Sequence, residues 1–238
     1  MVDPVKPRRR YDSSGRQEQA KRSRWAVLEA ARRLFLDRGY AATTVAAVAA
    51  EAGVSVETVY KAFGNKPGLV KAVFDVSIVG DDEPVPMLQR ERVQRMRAEP
   101  DPRRKLTMYG QHLTESAPRS VPVQLLVRSA AAGDPGAADV WEQMLAERLA
   151  GMTQFALDLH EGGHLRPGVS VEHGRDVLWT YNSPEVYELL VVERGWDPER
   201  YGRWVADALI AALLPLTPGS PMSSGRSMLP ATVPVHML

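Results

Sequence analysis

The chain has 238 residues, 44% hydrophobic and 25% charged, close to globular averages, which argues against wholesale disorder and leaves room for one small and one large domain. It holds no cysteine, which excludes disulfides and thiolate metal sites, and no apolar run approaches the length of a spanning helix; no membrane partner and a cytoplasmic location are therefore expected. The net charge of +1 is unevenly spread, with 14 Lys or Arg against 7 Asp or Glu in residues 1 to 71 and a net of −6 in the remainder. A basic opening on an acidic body fits contact with a polyanion such as nucleic acid, although Arg-rich ends are also common as solvated tails.

Helical periodicity dominates and strand alternation is nearly absent, which predicts an all-α fold. Residues 1 to 17 read as a disordered basic arm, with Pro4, Pro7, Arg8, Arg9 and Arg10. A first helix is expected from Glu18 to Arg38, with Trp25, Leu28, Ala31 and Phe35 on its inner face and Gly39 at its end. Thr43 or Thr44 can cap a short second helix that turns Val45, Val48 and Ala49 inward. Gly53 supplies the turn, since glycine accepts positive φ without a Cβ clash. Ser55 caps a third helix from Val56 to Phe63, and Asn65 a fourth, with Pro67 in its first turn and Leu69, Val73 and Phe74 inside.

Short helices joined by a tight glycine turn, with the small residues of AAVAAEAG allowing close crossing, are what a helix-turn-helix requires. Ser55 would leave the N-terminus of the third helix aimed at a groove or its phosphates. The alternative is a generic bundle that uses the same caps to turn corners.

The stretch RWAVLEAARRLFLDRGYAATTVAAVAAEAGVSVETVYKAFGNKPGLVKAVF resembles the DNA-binding domain of the TetR family of repressors along its whole length. Phe35, Gly39, Tyr40, Thr43, Thr44, Ala52, Gly53, Val54 and Ser55 stand in order, and Thr58, Val59, Tyr60, Phe63, Asn65, Lys66 and Leu69 follow at the family's spacing. The resemblance implies phosphate contacts from Thr44, Tyr60 and Lys66, with Thr43 and Ser55 at the same face. It also puts Val56, Glu57 and Lys61 at the variable positions that read base edges. Glu57 and Ala62 depart from the common pattern, and Thr58 and Phe63 are expected to cap or pack. Double-stranded operator DNA, a homodimer and a small-molecule effector follow as expected partners.

Residues 18–79 would then form the DNA-binding domain and residues 80–215 a larger helical domain for effector binding and dimerisation. Its expected helices are Val85 to Arg97, Arg103 to Ser116, Val121 to Ala132, Gly136 to Glu161, Val171 to Glu193 and Pro198 to Leu214. Tyr109, His112, Trp141, Met144, Met152, Phe155, Trp179 and Tyr181 could surround a pocket, or simply be core. The segment YELLVVERGWDPERYGRWVADALIAALLP resembles the family's last two helices, so Leu190, Tyr201, Val205, Leu209 and Leu213 are candidate interface or core positions. Ser183 and Pro184 break the helix from Val171, as a kink near a pocket or as the start of another helix.

His160, Glu161 and His164 satisfy H-E-x-x-H, the pattern of a zinc hydrolase. Two adjacent glycines, Gly162 and Gly163, cost about 2 kcal/mol of helix propensity, so the segment reads as a helix terminus. No metal, cofactor or catalytic residue is expected. Residues 216–238, rich in Pro, Ser and Gly, read as a disordered tail. The reading is a ligand-responsive repressor, against the alternatives of a helical interaction module with a basic end or a zinc-dependent hydrolase.

Overall fold

The computed structural model describes residues 14–216; Arg8, Arg9 and Arg10 of the basic arm and almost all of the C-terminal tail lie outside them, while residues 14–17, read as part of that arm, are helical. Helix α1 (Ser14–Ala42) is interrupted at Gly39, and α2 (Val45–Ala52), α3 (Val56–Phe63) and α4 (Lys66–Val79) complete the head. A single turn of 3₁₀ helix at Met87–Gln89 leads into α5 (Glu91–Ala98), followed by α6 (Pro102–Ala131), α7 (Pro135–Glu161) and α8 (Val171–Tyr181). The short α9 (Pro184–Tyr187) runs into a π-helical turn at Glu188–Glu193, and α10 (Pro198–Leu213) closes the body. The described residues contain no strand.

Local chemistry accounts for the head. Thr44 Oγ1 accepts from Ala47 N, Ser55 Oγ from Thr58 N and Asn65 Oδ1 from Gly68 N, so each short helix starts on a side-chain cap. Gly53 sits at φ 67°, ψ 32°, and its N–H closes the carboxyl end of α2. α1 starts at Ser14 rather than Glu18. Trp25, expected on its inner face, is 38% exposed, and Val27, Leu28, Ala31, Leu34 and Phe35 form that face instead.

The hydrophobic residues divide into two clusters. The first unites the head with the carboxyl end of α6 and the start of α7 through Val123, Val127, Ala137, Val140 and Met144. The second fills the body between α6, α7, α8 and α10, around Leu106, Leu159, Leu178, Leu209 and Leu213.

α6 corrects the expectation of two helices. It runs unbroken through Pro118 and Pro122, although a proline inside a helix costs roughly 3 kcal/mol. Ser116 and Ser120 donate their hydroxyls to the carbonyls of His112 and Ser116 within this stretch. Ala117, Val121, Val123 and Val127 are buried along it. At about 1.5–3 kcal/mol for each large apolar side chain buried, packing outweighs the two breaks.

α6 and α10 pack against each other in the body and cross at Gly110 and Gly202. A Cβ at Gly110 would stand 2.4 Å from Gly202 O, and one at Gly202 would stand 2.5 Å from Gly110 O and 2.0 Å from Thr114 Oγ1. The backbones touch there because neither residue has a side chain.

Candidate nucleic-acid interface and interior cavity

α3 projects from the head. Of its residues only Val59 is buried, while Ser55, Val56, Glu57, Tyr60 and Lys61 all face solvent. Tyr60 is 51% exposed. Thr44, at the start of α2, is exposed as well. The Ser55 cap leaves the amino end of an eight-residue helix at the surface, where unpaired N–H groups and the helix dipole favour an anion. Thr58 Oγ1 lies 2.8 Å from Ser55 Oγ, in keeping with a capping role.

Thr43 requires a correction. It is 2% exposed, and its hydroxyl is directed at the carbonyls of Leu34 and Gly39 at 3.0 and 2.9 Å. It locks the chain between α1 and α2 and cannot reach a ligand outside.

Lys66 is half-buried at the head's junction with the body. Its ammonium lies 4.1 Å above the Tyr40 ring and 3.4 Å from Ala41 O. Tyr40 Oη in turn donates to Asp134 Oδ1 at 3.4 Å, where Asp134 also caps α7. Burial, with the Asp134 carboxylate adding to it, pushes the Tyr40 phenol up to about 12. Burial lowers the Lys66 ammonium, and Asp134 opposes that shift.

α4 leads from this junction to a cavity of about 560 Å³, within the usual range for small-molecule sites. Phe74, Asp75, Ile78 and Val79 of α4 line it, with residues of the 81–90 segment, α5, α6 and α7. Two ties hold α4 against its surroundings, and a third holds the segment that follows it. Lys71 Nζ bridges Asp75 at 2.7 Å and Glu147 of α7 at 3.0 Å. Burial pulls this ammonium down, but the hydrogen bonds to both carboxylates more than offset it and leave it raised. Arg119 Nε donates to Ser77 O at 3.2 Å near the carboxyl end of α4. Arg24 of α1 pairs with Asp82, a cavity residue, at 2.7 Å.

Tyr109, His112, Met144, Met152 and Phe155 line the cavity. Trp141, Trp179 and Tyr181, read as candidates with them, do not. Trp141 packs against the head's hydrophobic cluster. Trp179 lies under the Arg148 guanidinium at 4.3 Å, and Tyr181 makes an edge contact with Trp204 at 5.4 Å. Tyr201 belongs to the cavity rather than to an exposed interface: it is 2% exposed and donates its hydroxyl to Tyr181 O at 3.3 Å. Val205, Leu209 and Leu213 are fully buried within one chain, so they are core and not available to a partner. Leu190 is half-buried against the same cluster. The exposed apolar residues of that region are its neighbours Leu189 and Val192.

The break at Ser183 is the start of another helix, since Ser183 Oγ accepts from Val186 N. α7 ends at Glu161, and His164 N folds back to Leu159 O. His160 and His164 therefore do not share a helix face. Among the described residues no three His, Asp or Glu side chains gather into a metal site.

Sequence reasoning passed over Lys105, Arg148 and Asn182, all cavity residues. One signal was present: Arg148 stands midway between Met144 and Met152, one turn from each, so a cation interrupts an otherwise apolar helical stripe. Burial lowers this guanidinium, with the Glu185 carboxylate acting against that shift.

The family model described as bacterial regulatory proteins, tetR family, matches residues 27–73. The regulator TtgR of Pseudomonas putida is 45% identical over 58 residues, which is 24% of this chain and 28% of that protein. YvkB of Bacillus subtilis is 45% identical over 47 residues, 20% of this chain and 25% of that one. The chain thus spans little more than a quarter of these relatives by sequence. Solved structures cover more of it. NalD, the secondary repressor of the MexAB-OprM multidrug efflux pump in Pseudomonas aeruginosa, matches 82% of this chain and 98% of its own at TM-score 0.62 and 18% identity. FadR of Bacillus subtilis, solved with stearoyl-CoA, matches 79% and 98% at TM-score 0.60 and 17% identity. Residues 27–73 therefore carry the helix-turn-helix of the tetR family of bacterial regulatory proteins, and the fold around it is similar to that of solved regulators such as NalD.

Proposed function

We propose that this protein is a transcriptional repressor that binds a pseudo-palindromic operator as a homodimer and releases it when a small molecule enters the cavity. The observation that carries the reading is the course of α4: one uninterrupted helix starts at Lys66 beside the exposed face of the head and ends as a wall of the cavity. Thr44, Tyr60 and Lys66 are the proposed phosphate contacts, with Val56, Glu57 and Lys61 at base edges and the amino end of α3 toward the duplex. A molecule that binds better when the cavity is wider shifts α4 and, through it, the spacing of the two recognition helices; by linkage it must weaken operator binding.

Two copies are needed because one helix-turn-helix contacts too few base pairs for useful specificity. Leu189 and Val192, 60% and 62% exposed on the π-helical turn, are the proposed centre of the dimer face. The site of action is the cytoplasm, and the protein carries out no catalysis of its own.

Selection of bound fragments from the source genome, followed by footprinting, tests the function. Protection of two half-sites about one helical turn apart is expected. Binding that shows no sequence preference at any salt concentration would overturn it.

A further inference from the structure

We infer that the cavity takes an amphipathic organic acid, an apolar body ending in a carboxylate that docks on Arg148. This deepens, and rests on, the reading of the cavity as the effector site.

Every carboxylate of the cavity wall except Glu83 is held by a cation, Lys71 being shared by two. Lys71 holds Asp75 and Glu147, Arg90 holds Asp81, Arg24 holds Asp82 and Arg97 holds Asp158. Glu83 stands exposed at the rim. Two cations of the cavity, Lys105 and Arg148, have no carboxylate in contact. Lys105 is 5% exposed, and its ammonium donates to a single group, Arg97 O, at 3.1 Å. Arg148 has Nε and Nη1 buried without any hydrogen-bond partner. The carboxylate that acts on it through space, Glu185, is already bound by Arg128 at 2.9 Å.

The groups beside Arg148 repeat the pattern. Tyr109 Oη donates only to Met152 Sδ at 3.5 Å, and Asn182 Nδ2 reaches the same sulfur at 3.9 Å. A thioether is a weak acceptor. One corner of the cavity thus gathers a guanidinium, a phenol and an amide whose N–H and O–H groups reach no charged acceptor, and buried donors left in that state are costly. A carboxylate supplies what is missing: a negative charge and two oxygens that match the guanidinium fork. The body of such a molecule would lie along Leu113, Val121, Met144 and Phe155. A cation would meet Lys105 and Arg148, and a neutral alcohol would leave the Arg148 guanidinium with only the Trp179 ring beneath it.

Calorimetric titration of the full chain with decanoate, decanol and decyltrimethylammonium, and with naphthylacetate against naphthylethanol, tests the assignment. Each acid should bind at least about tenfold more tightly than the alcohol of the same body, with the cation weakest. Arg148→Met should abolish the acid's advantage while changing alcohol affinity by less than about threefold, and Arg148→Lys should keep part of it. Tyr109→Phe removes one hydroxyl and should reduce the advantage by roughly fivefold, which covers the case in which Arg148→Met does not fold. Equal binding of acid and alcohol, strongest binding of the cation, or an advantage that survives in a folded Arg148→Met protein overturns the proposal and leaves the cavity reading in place. Absence of heat from every probe, in a chain that still binds its operator, overturns both.

Discussion

Arg24 joins Asp82 to Ala62. Its Nε donates to the Asp82 carboxylate at 2.7 Å, its Nη1 to Ala62 O at 3.3 Å, and its guanidinium lies 4.5 Å over the Phe63 ring. One α1 side chain thus ties the segment bordering the cavity to the last turn of the recognition helix. Arg24→Ala should cost only about 1 kcal/mol of global stability, since the pair is partly exposed. The local effect should be larger. Hydrogen exchange at Lys61, Ala62 and Phe63 should accelerate while that of the buried α6 segment stays unchanged; unaltered protection in α3 would show that the tie does not restrain it.

Lys61 and Lys66 should behave differently. Lys66→Ala should weaken all DNA sequences about equally and reduce the salt slope by roughly 0.9 for each phosphate left without its cation. Lys61→Ala should relax preference at one base pair by roughly 1–3 kcal/mol if that lysine reads guanine. Tyr60→Phe should cost on the order of 1 kcal/mol for each hydroxyl removed from a phosphate, with little change in slope. Operator-variant affinities at several salt concentrations separate these outcomes, and a reversal of the two lysine effects refutes the docking.

His112 should make stability pH-dependent. Burial, reinforced by the guanidinium of Arg92, lowers its imidazole from 6.5 to about 4. Arg92 Nη1 reaches Nδ1 at 3.3 Å, a contact that favours the neutral ring. Below the unfolded value the unfolded chain binds a proton that the folded chain refuses. Stability from this group is therefore full above about pH 6.5 and is lost as pH falls toward 4, by at most about 3 kcal/mol. Urea denaturation at about pH 7 and pH 5 should show the loss in the parent and a flatter response in His112→Gln.

Gly110→Ala or Gly202→Ala should destabilise the fold by about 3 kcal/mol or more, because the new methyl group meets backbone oxygen. Gly151→Ala provides the contrast. That glycine lies inside α7 with nothing within 4 Å of its missing Cβ, so helix propensity should raise stability by about 0.5–1 kcal/mol. Equal effects at the three positions in chemical denaturation would contradict the crossing geometry.

Replacing both Leu189 and Val192 with Glu should convert the proposed dimer to a folded monomer of about the 26.3 kDa of one chain, read by light scattering, with helical content retained. Truncation before Tyr201 should instead unfold the chain, because Val205, Leu209 and Leu213 are core. A dimer that persists in the double variant would place the interface elsewhere.

The head was legible in the sequence because its boundaries are written in local chemistry. Thr44, Gly53, Ser55 and Asn65 each satisfy backbone groups within a few residues of themselves. The body was less so, since its decisive features depend on residues far apart in the chain. Pro118 and Pro122 signalled a break that packing overrode, and the aromatic residues Trp141 and Trp179 gave no sign of which side of their helices faced the cavity. Thr43 and Thr44 illustrate the limit at one step. Both are good caps by type, yet the geometry after Gly39 sends one hydroxyl inward and leaves the other to cap α2.

The hydrophobic cluster shared by the head, α6 and α7 bears on how far this architecture is modular. A chimera cut at Gly80, with the head grafted onto another body, would strip away Val123, Val127, Val140 and Met144 and lay bare the apolar surface they cover. The natural exchangeable unit is discontinuous: the first four helices together with the carboxyl end of α6 and the opening turns of α7. The side of α3 proposed to read the operator can therefore be recoded with least disturbance to the fold, because Val59 alone is committed to the interior.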